Sequence, residues 1–309
     1  MNCRVIPRLD IKGPNLVKGL SFDGYRALGT AEYFARVYYE EGADELIYYD
    51  SVASLYQRNS LQEIVSKTAK EIFIPLTVAG GIRSMSDIRD ILRAGADKVA
   101  INTAALQNPQ LIRDASNSFG SQCIVVSIEA KRLADGSYEA WCDYGRQPTG
   151  IDVFEWVEQA VDLGAGEVLV TSVDRDGMCS GYDIELNKKI AEMVPVPVIA
   201  CGGAGSTKDV IELLNLGRPD AISAASIFHY YYMETPESLY MSSDDPSLRM
   251  GHQTDEGNVD FIRARACGGL PWTLVRPESI GNIKRSMIEN GFSVRYTPHL
   301  GNERGIDSL

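Results

Sequence analysis

Eight short β-rich runs alternate with amphipathic helical stretches, and the second half of the chain echoes the first. Together these predict an α/β protein of the (β/α)8 TIM-barrel class with a two-fold half-barrel repeat. In chain order the strand runs are RVIPRLDI, ELIYYDS, IPLTVAG, KVAIN, CIVVSIEA, EVLVTSV, VPVIACG and DAISAA. Between them lie TAEYFARVYYEEGA, SLQEIVSKTAKEI, SMSDIRDILRAGA, NPQLIRDASNSF, DVFEWVEQAVDLGA, IELNKKIAEMV and STKDVIELLNLG, each with the apolar spacing of a helix that lies on a sheet. Strict alternation implies parallel strands joined by crossovers, and eight repeats favour closure. An open doubly wound sheet competes, but the GxGxxG fingerprint with its downstream acidic residue is missing.

The echo is specific. LTVAGGIRSMSDIRDILRAGADKVAINTAA can be laid over PVIACGGAGSTKDVIELLNLGRPDAISAAS, with Gly80 and Gly81 falling on Gly202 and Gly203. Likewise RLDIK falls on SIEAK, which sets Asp10 against Glu129. A repeat of about 120 residues is too long for a solenoid unit and fits two halves of four βα units each, so paired sites are expected. The whole chain, 1–309, reads as one barrel with an insertion of about 232–276 after the eighth strand.

Composition narrows the function classes. The 44% hydrophobic and 23% charged fractions are those of a packed globular protein. A formal charge of -12 leaves no basic stripe to follow a phosphate backbone, so nucleic acid is not an expected partner. No run approaches the roughly 18 apolar residues of a membrane span, and the opening MNCRVIPRLD lacks the apolar centre of a signal peptide, so a cytoplasmic location is expected. Cys3, Cys123, Cys142, Cys179, Cys201 and Cys267 show neither CxxC nor metal-ligand spacing and read as reduced, mostly buried thiols; no metal or cofactor is expected. His229, His252 and His299 are scattered and read as structural or surface residues.

VAGGIRS and ACGGAGS each place two glycines between a strand and a helix, where missing side chains let backbone N–H groups approach an anion. Glycine pairs also serve tight turns. Each pair, however, is followed one βα unit later by small or polar residues at the next strand end, Asn102 and Thr103 in one half, Ala225 and Ser226 in the other. Neighbouring strand ends can share one phosphate, and two such cradles suit a ligand phosphorylated at both ends.

Asp10 closes the first strand and Glu129 the fifth, which are diametrically opposed in an eight-stranded barrel. Both carboxylates can face the middle of a spanning substrate as acid and base. The alternative is that they cap helices or pair with cations such as Lys12 and Lys131. Asp50, Asp174 and Asp176 also stand at or just after strand ends, and Asp176 and Gly177, in SVDRDGMCSGYD, are suited to holding the loop and substrate.

PRLDIKGPNLVKG, ADKVAINTAA, GSQCIVVSIEAKR, TSVDRDGMCSGYD and ACGGAGS together closely resemble the imidazole glycerol phosphate synthase cyclase family, over about residues 3–231 and again from near 277. The resemblance implies a barrel that takes ammonia from a glutamine amidotransferase. The ammonia splits a bis-phosphorylated formimino ribonucleotide into imidazole glycerol phosphate and an aminoimidazole carboxamide ribotide. It makes Asp10 the principal general acid/base and puts Lys18 in the mobile loop after strand 1. Gly81, Asn102 and Thr103 then bind one phosphate, and Asp176, Gly177, Gly203 and Ser226 the other. Arg4, Glu45, Lys98 and Glu167, at the starts of strands, match a ring that gates ammonia; four charges of alternating sign could equally just pair with one another.

Two departures stand out. The residue aligned with the family's second catalytic aspartate is Glu129, whose reach is longer by roughly 1.5 Å, a displacement on the scale that can cost about 100-fold in rate. The second is the polar, acidic insertion, with SSDDPSLRMGHQTDEGN and GGLPWTLV, on the catalytic side where long insertions act as lids or partner surfaces. These departures keep open a cyclase-like role in amidinating surface-polysaccharide sugars. An aldose-ketose isomerase of the sister barrel family, and a barrel that only binds phosphate ligands, also remain.

Overall fold

The computed structural model describes residues 2–13, 15–20, 23–51, 61–233 and 275–295. The expected barrel forms. Its eight parallel strands are β1 (Arg4–Lys12), β4 (Leu46–Asp50), β5 (Leu76–Ala79), β6 (Lys98–Ile101), β7 (Ile124–Arg132), β10 (Glu167–Ser172), β11 (Val198–Cys201) and β12 (Ala221–Ala224). Closure comes from β1 pairing with β12, Arg4 opposite Ala221 and Pro7 opposite Ala224, with β7 and β10 joining the two halves. The strands are encircled by α1 (Ala31–Glu40), α2 (Gln62–Thr68), α3 (Met85–Ala94), α5 (Gln110–Phe119), α6 (Val153–Asp162), α7 (Ile184–Met193) and α8 (Thr207–Leu216), with α9 (Ser226–Met233) and α10 (Ile280–Glu289) completing the ring.

Two hairpins and a short helix were not read from the pattern. A hairpin, β2 (Asn15–Leu20) and β3 (Asp23–Thr30), grows antiparallel from the end of β1, with Asp10 opposite Val17. In the other half a matching hairpin, β8 (Tyr138–Cys142) and β9 (Gln147–Asp152), grows from β7, with Glu129 opposite Trp141. The duplication therefore extends to the excursions beside each carboxylate. A short helix, α4 (Thr103–Gln107), precedes α5. Of the expected insertion, 234–274 lies outside the described residues, as do His252, His299 and Cys267. The described chain resumes beside α8 and α9, where the Arg276 N–H donates to the Gly205 carbonyl at 2.8 Å and that of Glu278 to Ile227 at 3.1 Å.

Alternation along each strand divides two apolar layers. Val5, Leu9 and Ile11 pack outward against the helices, while Ile6 joins Ile47, Tyr49, Ala79, Ala100, Val125, Leu169, Ile199 and Cys201 in the lumen. Arg8 and Asp10, in register with Ile6, therefore face inward, as do Ser127 and Glu129 in register with Val125. Four of the five described cysteines are only partly buried, and Cys201 alone is fully enclosed, so the expectation of mostly buried thiols is corrected: the others lie near strand ends and loops.

Segments far apart in sequence are joined around one carboxylate. Asp44, just before β4, accepts from the Val5 N–H at 2.8 Å, Lys284 Nζ at 2.7 Å and Arg295 Nε at 3.1 Å. Lys284 is buried on α10 and also donates to the carbonyls of Gly42 and Arg295. Asp44→Ala would strand that ammonium, and unfolding free energy in urea is expected to fall by about 3–5 kcal/mol; a loss under 1 kcal/mol would show that the carbonyls suffice.

Candidate active site at the barrel mouth

Asp10 and Glu129 stand at the C-terminal ends of β1 and β7, four strands apart in either direction around the barrel, and both are almost fully buried. Neither takes the lysine partner considered from sequence. Lys131 pairs instead with Asp174, which also accepts the Arg132 N–H at 2.8 Å. Asp10 accepts from Arg8 Nε at 2.9 Å on Oδ1, with Lys18 Nζ 3.5 Å from Oδ2. Glu129 accepts from the Tyr49 hydroxyl at 2.7 Å on Oε1 and from the Gly145 N–H at 2.6 Å on Oε2.

These surroundings push the two carboxyls apart. Burial raises the pKa of Asp10, but the charges of Arg8 and then Lys18 more than offset it and hold the group below its usual range. Burial also raises Glu129; its hydrogen bonds from Tyr49 and Gly145 and the charge of Arg8 offset this only in part, so it lies above the usual range. One ionised and one more readily protonated carboxyl thus face each other, the arrangement that acid-base chemistry needs.

Lys18, expected in a mobile loop, stands on β2 with its side chain buried at the mouth, 3.4 Å from Asp176 Oδ2. The segment folds as a strand because its apolar residues Leu16 and Val17 are buried beside β1. Burial alone would lower the Lys18 ammonium, but Asp176 and Asp10 raise it above its ordinary value.

The two glycine pairs adopt matching backbone turns. Gly80 and Gly81 adopt φ of 91° and 72°, and Gly202 and Gly203 φ of 91° and 108°. A Cβ on Gly80 would lie 2.5 Å from the Asp50 carbonyl, and one on Gly203 2.1 Å from the Gly181 carbonyl. The helices behind them start alike: Asp87 accepts the N–H groups of Arg83 and Ser84, and Asp209 those of Gly205 and Ser206. Gly81, Asn102 and Thr103 line one cavity of about 160 Å³, which also takes in Arg83, Asp143 and Tyr144. Asp176, Gly177, Gly203, Ala225 and Ser226 line another of about 20 Å³, with Lys18 in its wall.

At the opposite end of the barrel Arg4, Glu45, Lys98 and Glu167 form a closed ring of alternating charge. Arg4 bonds Glu45 at 2.9 Å and also Glu167; Lys98 bonds Glu45 at 2.9 Å and Glu167 at 2.8 Å. Thr77 donates to Glu45 as well, at 2.6 Å. The four do pair with one another, and they do so across the lumen.

Arg8, Tyr49, Tyr144 and Gly145 were missed in the sequence. The signal for Arg8 was present: a charged residue two before Asp10, on the same face of the strand. For Tyr144 and Gly145 there was none, because the β8–β9 hairpin brings them back over the mouth from 15 and 16 residues beyond Glu129. His229 is structural, as expected: it is buried, bonded to the Tyr38 hydroxyl through Nδ1, and lowered to a pKa of about 3, chiefly by burial and then by Lys18.

A closed barrel with paired glycine turns and opposed carboxyls at the C-terminal ends of its strands defines the class of (β/α)8 proteins that handle ligands at that face. Comparison with known sequences narrows the class. The sequence pattern described as "Histidine biosynthesis protein" matches residues 4–234, and the chain belongs to that family. Among its relatives is "Imidazole glycerol phosphate synthase subunit HisF" of Legionella pneumophila, 55% identical over 208 residues, covering 67% of this chain and 98% of the relative. Proteins of the same name from Alkaliphilus metalliredigens and Dehalococcoides mccartyi are 47% and 49% identical, over 75% and 81% of this chain and 92% and 99% of their own lengths.

The cradle geometry makes an expectation. Gly203→Ala should weaken inorganic phosphate binding at the Ser226 side about tenfold or more, the equivalent of one lost hydrogen bond to an anion, while the Gly81 side still binds. Amide shifts of Gly81 and Ser226 during a phosphate titration report the two sides separately; equal loss at both would show that they are not independent cradles.

Proposed function

We propose that this chain is the cyclase subunit of an imidazole glycerol phosphate synthase. It would combine ammonia with a bis-phosphorylated formimino ribonucleotide to give imidazole glycerol phosphate, an aminoimidazole carboxamide ribotide and water. The observation that carries the reading is the pair of opposed, differently shifted carboxyls, Asp10 and Glu129, flanked by two duplicated glycine cradles. Building ammonia into a ring while expelling an amine calls for one group that removes a proton from the incoming nitrogen and one that protonates the departing group. The family and the names of its relatives support the same chemistry over an isomerase or a simple binding barrel.

In this reading Gly81, Asn102 and Thr103 hold one phosphate, and Asp176, Gly177, Gly203, Ala225 and Ser226 the other, with Lys18 beside the second. The ring of Arg4, Glu45, Lys98 and Glu167 faces a glutamine amidotransferase subunit and controls passage of ammonia into the lumen. The complex works in the cytoplasm. No helix among the described residues is long and apolar enough to cross a membrane.

With the ribonucleotide and excess ammonium, Asp10→Asn should abolish turnover and Glu129→Gln should lower it by about 100-fold or more, both retaining ligand binding. Glu129→Asp separates two designs: recovered turnover means that the site tolerates the shorter acid, and a large loss means that Tyr49 and Gly145 are set for glutamate. Wild-type protein without turnover would overturn the reading. Glutamine alone should be inert with this chain, and measurable glutamine hydrolysis by it would contradict the need for a partner.

A further inference from the structure

The half-barrel repeat changes in charge beside the two carboxyls. Where the second half has Ser127 two residues before Glu129, the first has Arg8 two residues before Asp10. Arg8 is 1% exposed, in the middle of the barrel lumen, where an arginine is retained only if its charge and donors are matched. Its Nε bonds Asp10 at 2.9 Å, and its guanidinium lies over the Tyr49 ring at 4.4 Å from the centroid. A further N–H group reaches the Tyr144 hydroxyl at 3.3 Å, and others face Thr171 and Cys201 at 3.5 and 3.6 Å. The Tyr49 hydroxyl in turn donates to Glu129. A single continuous chain of contacts therefore runs across the lumen from one carboxyl to the other: Asp10, Arg8, Tyr49, Glu129.

We propose that Arg8 is a positioning residue that divides the proton work of the site, holding Asp10 as the base and, through the tyrosine on which it stacks, aiming a phenol at Glu129, the acid. The inference deepens the proposed function and rests on it for its turnover readout alone; the arrangement itself is read from the side chains.

The geometry favours this over a purely structural role. A guanidinium bonded through Nε is fixed in plane, and that plane is what a ring 4.4 Å away can stack against. The Tyr144 ring, 5.0 Å from that of Tyr49, backs the second face of the assembly. The groups that bear on Asp10 among the described residues are Arg8 on its own strand, Lys18 on β2, His229 on α9 and Tyr49 on β4, while Asp176 beyond β10 and Cys201 on β11 act on both cations and Tyr144 on the hairpin acts on Arg8. Of these only Arg8 and Lys18 are cations, because burial keeps His229 neutral. Glu129 is faced by Tyr49, Asn102, Cys142 and the Gly145 N–H, with Arg8 as its cation beyond the tyrosine. Lys18, 3.5 Å from Asp10, is shared with Asp176, so Arg8, at 2.9 Å, is the nearer cation to Asp10.

The sign follows. Asp10 acts as a base in its ionised form, so activity falls as pH falls through its pKa. Removing the charge of Arg8 raises that pKa and moves the acidic limb of the profile to higher pH.

The test uses carbon-13 carboxyl titration of the full chain, with Asp10→Asn and Glu129→Gln assigning the two signals, alongside kcat/KM against pH at fixed free ammonia. In the wild type Asp10 should titrate below, and Glu129 above, the ordinary carboxyl range. Arg8→Gln keeps a planar donor but no charge; it should raise the Asp10 titration and the acidic limb together by about 1–3 pH units. Arg8→Lys should return both part of the way, by restoring charge without the stacked plane. Tyr49→Phe should raise Glu129 further while leaving Asp10 in place. Asp10 titrating at or above the ordinary range in the wild type would overturn the proposal without any variant, as would an Arg8→Gln protein whose Asp10 signal does not move. Loss of kcat at every pH with unmoved titrations would assign Arg8 to packing alone. If the wild type shows the divided titrations but no turnover, the proposed reaction fails while the role of Arg8 in setting the two carboxyls stands.

Discussion

A carboxylate enclosed by a barrel loses most of its hydration, and it stays ionised there only if a cation is enclosed with it. That constraint governs Asp10. Arg8 supplies the charge from the same face of the same strand, and Lys18 adds a second from the hairpin that β1 extends into. Placing an arginine in the lumen then creates a demand of its own. Its donors and its flat faces must be satisfied, and Tyr49, Tyr144, Thr171 and Cys201 do so from four other parts of the chain. Much of the upper lumen is therefore determined by the need to keep one acid ionised.

The same constraint recurs at two other places, with different outcomes. At the lower end, two acids and two bases close a ring in which each carboxylate meets both cations, so charges that line the lumen are matched without a net sign. Beside α10, Asp44 and Lys284 use a buried pair to fasten that helix to the start of the barrel. Glu129 is the contrasting case. It has no ion-pair partner among the described residues; a phenol, a peptide N–H, the Asn102 amide and the more distant charge of Arg8 offset burial only in part, so the group is displaced toward its protonated form.

Duplication supplies the symmetric parts of the site, and local substitutions supply the asymmetric ones. Glycine turns with positive φ, aspartates that reach back to the helix starts, and strand-end hairpins all occur in both halves. A ligand with phosphates at both ends suits such symmetry, but acid-base chemistry does not, since two equivalent carboxyls would titrate alike. Arg8 against Ser127 and aspartate against glutamate break the equivalence at the centre, leaving the outer cradles alike.

The sequence by itself determined the eight-fold alternation, the half-barrel repeat, both glycine turns and the inward positions of Asp10 and Glu129, because strand period and glycine placement are local properties of the chain. It also contained the four charges at the strand starts, although nothing local says whether such charges meet each other or solvent. Only the tertiary structure decided that they close a ring, that Lys18 lies on a buried strand, and that Lys131 turns to Asp174 and not to Glu129. The inward position of Arg8 was legible from its spacing to Asp10, but its partners were not, since a charged residue in a β-rich run carries no mark of what will surround it. Its partners, Asp10, Tyr49, Tyr144, Thr171 and Cys201, come from widely separated segments and meet only when the barrel closes. The pKa of a buried group depends on that meeting, through desolvation and charges a few ångströms away, and not on neighbours in sequence.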